Sequence, residues 1–390
     1  MRNCKVKIEA AKEPLCNHCL GRLYGMLGHG LDNESRGRAI RVMYAMENGE
    51  SIQKEPENCA ICEGIFRRVD DYARHITSLL KEYEFSTFSV GSKFSEDILR
   101  KEDEFVNRYS SEDWAERIGR EFNRELGKKI SELTGKEANL SSPDIAVIVD
   151  TEYDDVKLEI KPLFIYGRYR KLERGLPQTK WPSGKYKESV EQLIAGPIME
   201  ATEGEGHALH GLGREDIDVR MLGNGRPFIL EIKRPKKRSL NLEDMQHEIN
   251  RRANGRVEVM NLKFADRAMV RELKSSTVRK RYRVKVSVNT NEEELVSALE
   301  KLKGKIRQRT PKRVAHRRAD RIRVREVYEI KLVGRDEEGW VIEVLAESGT
   351  YIKELMHGDD GRTKPSLSSL LNKDVLVIYL DVIEIQDNFP

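Results

Sequence analysis

The sequence has no run of about 18 consecutive apolar residues, so no membrane-spanning helix is expected. Its opening stretch, MRNCKVKIEAAKEPLCNHC, lacks the apolar centre of a secretory signal. No low-complexity tract or fixed-period repeat is present, which excludes fibrous and solenoid classes. Cysteine is scarce, five in 390 residues, too few for a disulfide scaffold. A soluble, reducing, cytoplasmic setting is the expectation. Cofactor loops are missing as well. Gly204, Gly206, Gly211 and Gly213 do not form a G-x-G-x-x-G that opens a helix after a strand, and no Gly-Lys-Ser/Thr phosphate loop occurs. That glycine-rich stretch reads as a flexible loop. None of the eight histidines stands in a recognisable nuclease or hydrolase motif.

What is present is charge. Charged residues make up 35% of the chain, against roughly 25% in an average globular protein. Surface ion-pair networks or a charged partner account for such an excess. The 70 Lys and Arg nearly balance 66 Asp and Glu, so the net charge of +4 does not announce a nucleic-acid binder. Local clustering has to decide. The 38% of hydrophobic residues suffices for ordinary cores, and the length fits two or three domains.

Four of the five cysteines form two Cys-x-x-Cys pairs, Cys16 with Cys19 and Cys59 with Cys62. This spacing lets a tight turn aim two thiolates at one ion, and two such turns complete a tetrahedral zinc site. The alternative is a redox dithiol, but a thioredoxin-like motif needs a preceding strand, and Pro14-Leu15 is a poor one. Four thiolates close the coordination sphere, so the zinc role is structural. His18 and His29 are the less suitable substitute ligands, and Cys4 is left over.

Helical spacing of apolar residues marks 71–84 and 111–134, with Gly135 as the stop. PDIAVIVD (143–150) and VKLEI (156–160) read as strands joined at Asp154-Asp155. The segment 161–187 holds eight Lys or Arg and one acid, interleaved with Phe164, Tyr166, Tyr169, Trp181 and Tyr186. Cations beside aromatic faces suit single-stranded or looped RNA. Pro177, Pro182, Ser183 and Gly184 suggest a domain boundary there. Beyond it a helix interrupted at Gly196-Pro197 is expected. A hairpin follows, from Asp216 to Lys233 with Gly223-Asn224-Gly225 as its turn. Tyr282–Val288 is a strand, and Thr290 with Glu293 forms a capping box for a helix bearing Leu295, Leu299 and Leu302. From Lys301 to Arg325 there are twelve Lys or Arg and one acid, Asp320. Strands at 327–333, 340–346 and 374–385 complete a mixed sheet in the second half.

Two short strings carry candidate chemistry. G-R-E-D-I-D-V-R (213–220) joins a glycine-rich loop to a strand and can project a carboxylate with a cation beside it. S-G-T-Y-I-K-E-L (348–355) places a Tyr and a Lys two apart after a strand. On spacing alone each is a weak signal. S-G-T-Y-I-K resembles a motif of pseudouridine synthases. Arg214-Glu215-Asp216 resembles the Arg-x-Asp of that superfamily, and Lys280-Arg281-Tyr282 resembles its Lys-x-Tyr. REDIDVRMLGNGRPFILEIK, GTYIKELMHGDDGRTKPSLSSLL, PLFIYGRYRKLERGLPQTKW and the cysteine pairs together resemble the archaeal and eukaryotic tRNA pseudouridine synthase family often called "Pus ten".

The resemblance implies an α+β protein. Its catalytic domain would have the pseudouridine-synthase fold, a mixed sheet with an RNA-binding cleft. An accessory N-terminal domain would contain the zinc site and a THUMP-like module. The expected spans are 1–66 for the zinc part, 67–182 for the THUMP-like part and 183–390 for the catalytic domain. The implied activity is isomerisation of uridines 54 and 55 in the T arm of tRNA, with no organic cofactor and no protein partner, by a monomer. Asp216 would act at the ribose as nucleophile or base, with Lys353 as its cation. Tyr282 and Tyr351 would stack on the flipped uracil, Tyr351 being also a candidate for the C5 proton. Arg214 would hold a phosphate or fill the vacated space. Lys353 stands where many relatives of other families carry Arg, and Lys loses the bidentate fork. The rival readings are a non-catalytic zinc- and tRNA-binding protein and another THUMP-bearing RNA enzyme, a methyltransferase or thiolation enzyme.

Overall fold

The computed structural model describes residues 6–316 and 318–390; Cys4 and Arg317 lie outside them. The chain forms two compact units that part between Lys161 and Pro162. Among the described residues no helix is long and apolar enough to cross a membrane.

The first unit begins with α1 (Asn17–Arg22) and α2 (Asn33–Asn48). They cross where Gly21 and Gly37 face backbone: a Cβ on Gly21 would lie 1.8 Å from the Asn33 carbonyl oxygen. Next come α3 (Val69–Leu80), β1 (Thr87–Lys93), α4 (Glu96–Tyr109), α5 (Ile118–Thr134), β2 (Glu137–Ala138), β3 (Ile145–Asp150) and β4 (Asp155–Ile160). The sheet order is β2-β1-β3-β4, with β1 parallel to both β2 and β3 and β4 antiparallel to β3. Ile145, Val147 and Val149 alternate inward onto Phe88, Phe122, Leu126 and Ile130, all buried. Gly135, with φ 68°, ends α5 as expected. The pattern hid α4, because Glu102 sits buried between Ile98 and Val106 in its inward stripe.

The second unit contains β5 (Leu163–Lys171), α6 (Val190–Thr202), β6 (Gly206–Gly211), β7 (Arg220–Lys233), α7 (Leu242–Ala253), β8 (Val257–Ala265) and α8 (Arg267–Ser275). It continues with β9 (Arg279–Ser287), α9 (Glu292–Glu300), β10 (Gly304–Arg309), β11 (Ile322–Asp336) and β12 (Gly339–Glu347). It closes with α10 (Ile352–His357), β13 (Thr363–Lys364), α11 (Leu367–Leu371) and β14 (Leu376–Gln386). One mixed sheet runs β13-β10-β11-β12-β9-β14-β7-β5-β8, and β6 pairs with β7. The β14–β7 pair is parallel.

Several expectations change here. The units part at 161/162, not 182/183, because β5 is hydrogen-bonded between β7 and β8. Helix α6 continues through Pro197. The glycine-rich loop is partly strand β6. The cap of α9 is Asn291, whose side chain accepts from Glu294 N, while Thr290 binds the Glu294 carboxylate. The expected hairpin at 216–233 is a single strand, β7, with a bulge at Gly223-Asn224-Gly225. Against β5, Arg226 pairs with Tyr169 and Met221 with Lys171. The Asn224 side chain holds the bulge by donating to Ile385 O at 2.7 Å and accepting from Ile385 N at 3.0 Å. Gly223, at φ 59°, touches the neighbouring strand, and a Cβ there would lie 1.8 Å from Ile383 O.

Gly223→Ala therefore combines left-handed strain with a backbone clash and should cost about 2–4 kcal/mol. Gly334→Ala, where a Cβ meets nothing within 4 Å, should stay within about 0.5 kcal/mol. Urea unfolding midpoints check both; equal midpoints would refute the close approach.

Candidate active site

The segment between β6 and β7, residues 212–219, has no ladder of its own, so its carbonyls need other donors. Buried side chains supply them. Lys171, fully buried, donates to Leu176 O at 2.9 Å, Asp216 O at 3.1 Å and Ile217 O at 3.0 Å. Arg226, also buried, donates to Leu212 O and pairs with buried Glu215 at 2.9 Å. Lys280 reaches Leu212 O at 3.4 Å. Gln178 donates to Gly213 O at 3.1 Å and to the Tyr169 hydroxyl at 2.8 Å, and that hydroxyl donates to Glu215 at 3.0 Å. Arg174 donates to Asp218 O at 2.8 Å. Burial, reinforced by Arg226, pushes Lys171 down to about 8 and Lys280 down to about 7.

This framework leaves the two carboxylates outward. Asp216 is 30% exposed and Asp218 66% exposed at the side chain. Lys353, the second residue of α10, lies 2.6 Å from Asp218 Oδ2 and 3.9 Å from Asp216 Oδ2. The nearer cation to Asp216 is Arg313, in the turn after β10, at 2.8 Å from the same Oδ2. Glu354, buried beside Lys353 in sequence, binds the other side of Arg313, at 2.6 Å to Nε. Burial opposes the Arg313 charge, but Glu354 and Asp216 outweigh it and hold the guanidinium more firmly protonated. Burial likewise raises Asp218, but the Lys353 hydrogen bond prevails and keeps it below the usual carboxylate range.

The structure thus brings Asp216, Asp218 and Lys353 together, with Asp218 as the tighter partner of Lys353. Sequence reasoning missed Arg313; its position in a run of twelve cations concealed it. Tyr282 is buried, and burial pushes its hydroxyl up to about 12, with the Asp216 charge adding to the rise. Tyr351 is the N-cap of α10, and Lys353 lies in the first turn of that helix. Its backbone exchanges two hydrogen bonds with the Gln308 side chain, and its hydroxyl accepts from Arg318 at 3.2 Å. Arg214 is exposed and, among the described residues, forms no ion pair. Two cavities of about 350 Å³ lie elsewhere, one beside Trp340 and one beside Asn33; neither is lined by Asp216.

The aromatic stripe of 161–187 is mostly core. Phe164, Tyr166 and Tyr169 are buried in the sheet, which leaves Trp181 and Tyr186, packed edge to face at 5.4 Å, as its accessible rings. The basic stripe is partly neutralised by its own chain. Lys303 pairs with Glu300, Arg309 with Asp320, Lys312 with Asp360 and Arg325 with Glu347.

In the first unit, the sulfurs of Cys16, Cys19, Cys59 and Cys62 are buried and all lie within 4.8 Å of one another. A tetrahedron with metal–sulfur bonds of about 2.3 Å has edges of about 3.8 Å, so four thiolates fit one ion. The Cys16–Cys62 edge is 3.6 Å. Backbone N–H groups point at the sulfurs, from Cys16 to Cys59 at 3.3 Å and from Cys19 to Cys16 at 3.4 Å. Arg22 donates to Cys19 Sγ and pairs with buried Glu102. The histidines stand apart from this set: His18 stacks on Phe66 and binds Glu121, and His29 is exposed.

Comparison with known proteins adds the family. The model described as "Pus10, C-terminal" matches residues 164–386, and "Pus10 THUMP domain, archaeal" matches 72–150. The tRNA pseudouridine synthase Pus10 of Pyrococcus furiosus is 44% identical over 377 residues, covering 96% of this chain and 95% of its own. That of Methanothrix thermoacetophila is 40% identical over 415 residues, covering 95% and 92%. With one family model over more than half of its length and relatives of 40% identity or more aligned over at least 95% of it, this chain belongs to the Pus10 family of tRNA pseudouridine synthases.

Proposed function

We propose that this chain converts uridines 54 and 55 in the T arm of tRNA to pseudouridine, with Asp216 acting at the ribose of a flipped-out uridine. The reaction breaks the N-glycosidic bond, turns the uracil, forms a C–C bond at C5 and releases the C5 proton. The observation that carries this reading is the Asp216 carboxylate, held outward by a buried framework with its Oδ2 beside two cations. Lys353 supplies positive charge to the Asp216–Asp218 pair. Tyr282 lies near enough to Asp216 for its hydroxyl to feel that charge, and Tyr351 at the start of α10 offers a ring and a hydroxyl. Both rings recover part of the few kcal/mol that flipping costs. Arg214 meets the backbone phosphate of the flipped nucleotide. Cys16, Cys19, Cys59 and Cys62 hold one structural zinc ion. The protein works as a cytoplasmic monomer without an organic cofactor. The first unit carries the zinc part, to about residue 66, and the THUMP-like part.

Asp216→Asn should abolish tritium release from C5-labelled uridine in tRNA while tRNA affinity and melting temperature stay nearly unchanged. Appreciable turnover would transfer the role to Asp218. A wild-type chain that binds tRNA without releasing tritium would instead favour the non-catalytic reading.

One zinc ion per chain should copurify, and Cys62→Ser should lower both the metal content and the melting temperature of the first unit. Metal analysis finding another ion, or none, in freshly purified protein would remove the zinc assignment.

Activity and stability should separate at alkaline pH. Lys171 and Lys280 have folded values near 8 and 7, below the ordinary 10.5. Between those values and 10.5 the unfolded chain binds more protons, so the contribution of these lysines to stability rises with pH. Turnover should move the other way. Deprotonation costs Lys171 one of three N–H donors, and the Asp216 loop loosens. The expected result is a fall in kcat above about pH 8 without a parallel fall in melting temperature, and a low, pH-insensitive kcat for Lys171→Met. A wild-type kcat that stays flat to about pH 9.5 would show that the loop does not depend on the Lys171 charge.

A further inference from the structure

We infer that Arg313 is the positioning residue that fixes the Asp216 carboxylate, and that Glu354 orients Arg313 for this task. The inference rests on the reading that Asp216 performs the chemistry. The turn carrying Arg313 is anchored from three sides. Val314 is buried, Lys312 N donates to Asp359 Oδ2 at 3.0 Å, and the loop is closed by Thr310 Oγ1 donating to Ala319 O at 2.8 Å. From there the guanidinium presents Nε and Nη2 to Glu354, at 2.6 and 3.4 Å, and turns Nη1 to Asp216 Oδ2 at 2.8 Å. Glu354 is 1% exposed, so it is a fixed acceptor, not a mobile surface acid.

Lys353 is poorly placed to do the same work. An ammonium is a compact charge, and this one stands 2.6 Å from Asp218, leaving Asp216 at 3.9 Å. A guanidinium has five donors in a rigid fork and can bind two carboxylates at once. Both cations lie on Oδ2 of Asp216, and among the described residues no hydrogen bond reaches Oδ1. Arg313 therefore sets the rotation of the carboxylate and leaves Oδ1 as the oxygen for the ribose. Helix α10 contributes to both arms, through Lys353 to Asp218 and through Glu354 to Arg313.

The test uses the full chain with zinc bound and tRNA labelled at C5. Arg313→Lys keeps the charge and loses the fork; kcat should fall roughly 10- to 100-fold, as for a catalytic group displaced by about 1 Å. KM and tRNA affinity should stay within about two-fold, because the group acts on the carboxylate and not on RNA binding. Arg313→Ala leaves Glu354 buried and unpaired and is prone to misfold. The double variant Arg313→Gln with Glu354→Gln removes both charges together, so it keeps the test decisive. It should melt near the wild type yet lose at least as much kcat as Arg313→Lys. A kcat within two-fold of wild type in either variant, or a loss confined to KM, overturns the inference. Asp216→Asn is run alongside. If it turns over normally, the proposed role of Asp216 fails; if it is dead while the Arg313 variants are fully active, only the role of Arg313 fails.

Discussion

The site depends on cations that are buried beneath a piece of irregular backbone. Residues 212–219 form neither helix nor strand, and an unpaired carbonyl away from water costs a kcal/mol or more. Lys171, Arg226 and Lys280 meet that demand from the strands on either side, with Glu215 as the buried carboxylate among them. Three cations facing one acid is an expensive arrangement, and burial shows it by pulling both lysines well below their ordinary range. The return is a loop without regular structure whose carbonyls are fixed one by one. A carboxylate mounted on such a loop can be aimed outward without swinging.

The sheet makes this possible by bringing distant segments to one edge of the loop. Lys171 ends β5, Arg226 sits just past the bulge of β7, and Lys280 lies near the start of β9. The parallel pairing of β7 with β14 places Arg220 opposite Asp381, and Arg174 shares that acid while holding Asp218 O. The Gly223-Asn224-Gly225 bulge lets β7 accommodate its extra residues between β5 and β14 without losing the ladder. In the first unit a comparable economy joins the thiolates to the core. Arg22 spans Cys19 and Glu102, so a buried acid lies within one residue of the sulfurs.

Much of this was legible in the sequence. The two Cys-x-x-Cys pairs do converge, and the strands read at 143–150 from Ile and Val content and at 282–288 from alternation are found at 145–150 and 279–287. The string around Asp216 and the one around Lys353 do meet. What the pattern hid has a common cause: polar groups doing the work of apolar ones. Glu102 inside the stripe of α4, Lys171 and Arg168 within β5, and Arg226 in β7 all read as surface residues until their partners are seen. The aromatic residues of 161–171 read as an RNA platform for the same reason, since buried cations between them imitate a basic face. Neither which acid Lys353 favours nor the role of Arg313 follows from spacing, because both are set by where a turn and a short helix pack.

The same point governs how charge should be counted for RNA binding. Twelve cations between 301 and 325 suggest a long phosphate-binding stripe. Five of them, Lys303, Arg309, Lys312, Arg313 and Arg325, are already paired with acids of the chain. A paired cation gains less from a phosphate, because it must share or surrender its acid, and it displaces fewer of the counterions condensed on the RNA. Lys305 and Arg307 differ: strand alternation turns them outward from β10 while Ile306 and Gln308 turn in, and among the described residues neither forms an ion pair. With Arg318 and Arg321 they form the part of the stripe whose field extends into solvent. The small net charge of +4 is thus compatible with a local attraction for RNA, since what a phosphate meets is the unpaired remainder of the stripe and not the total.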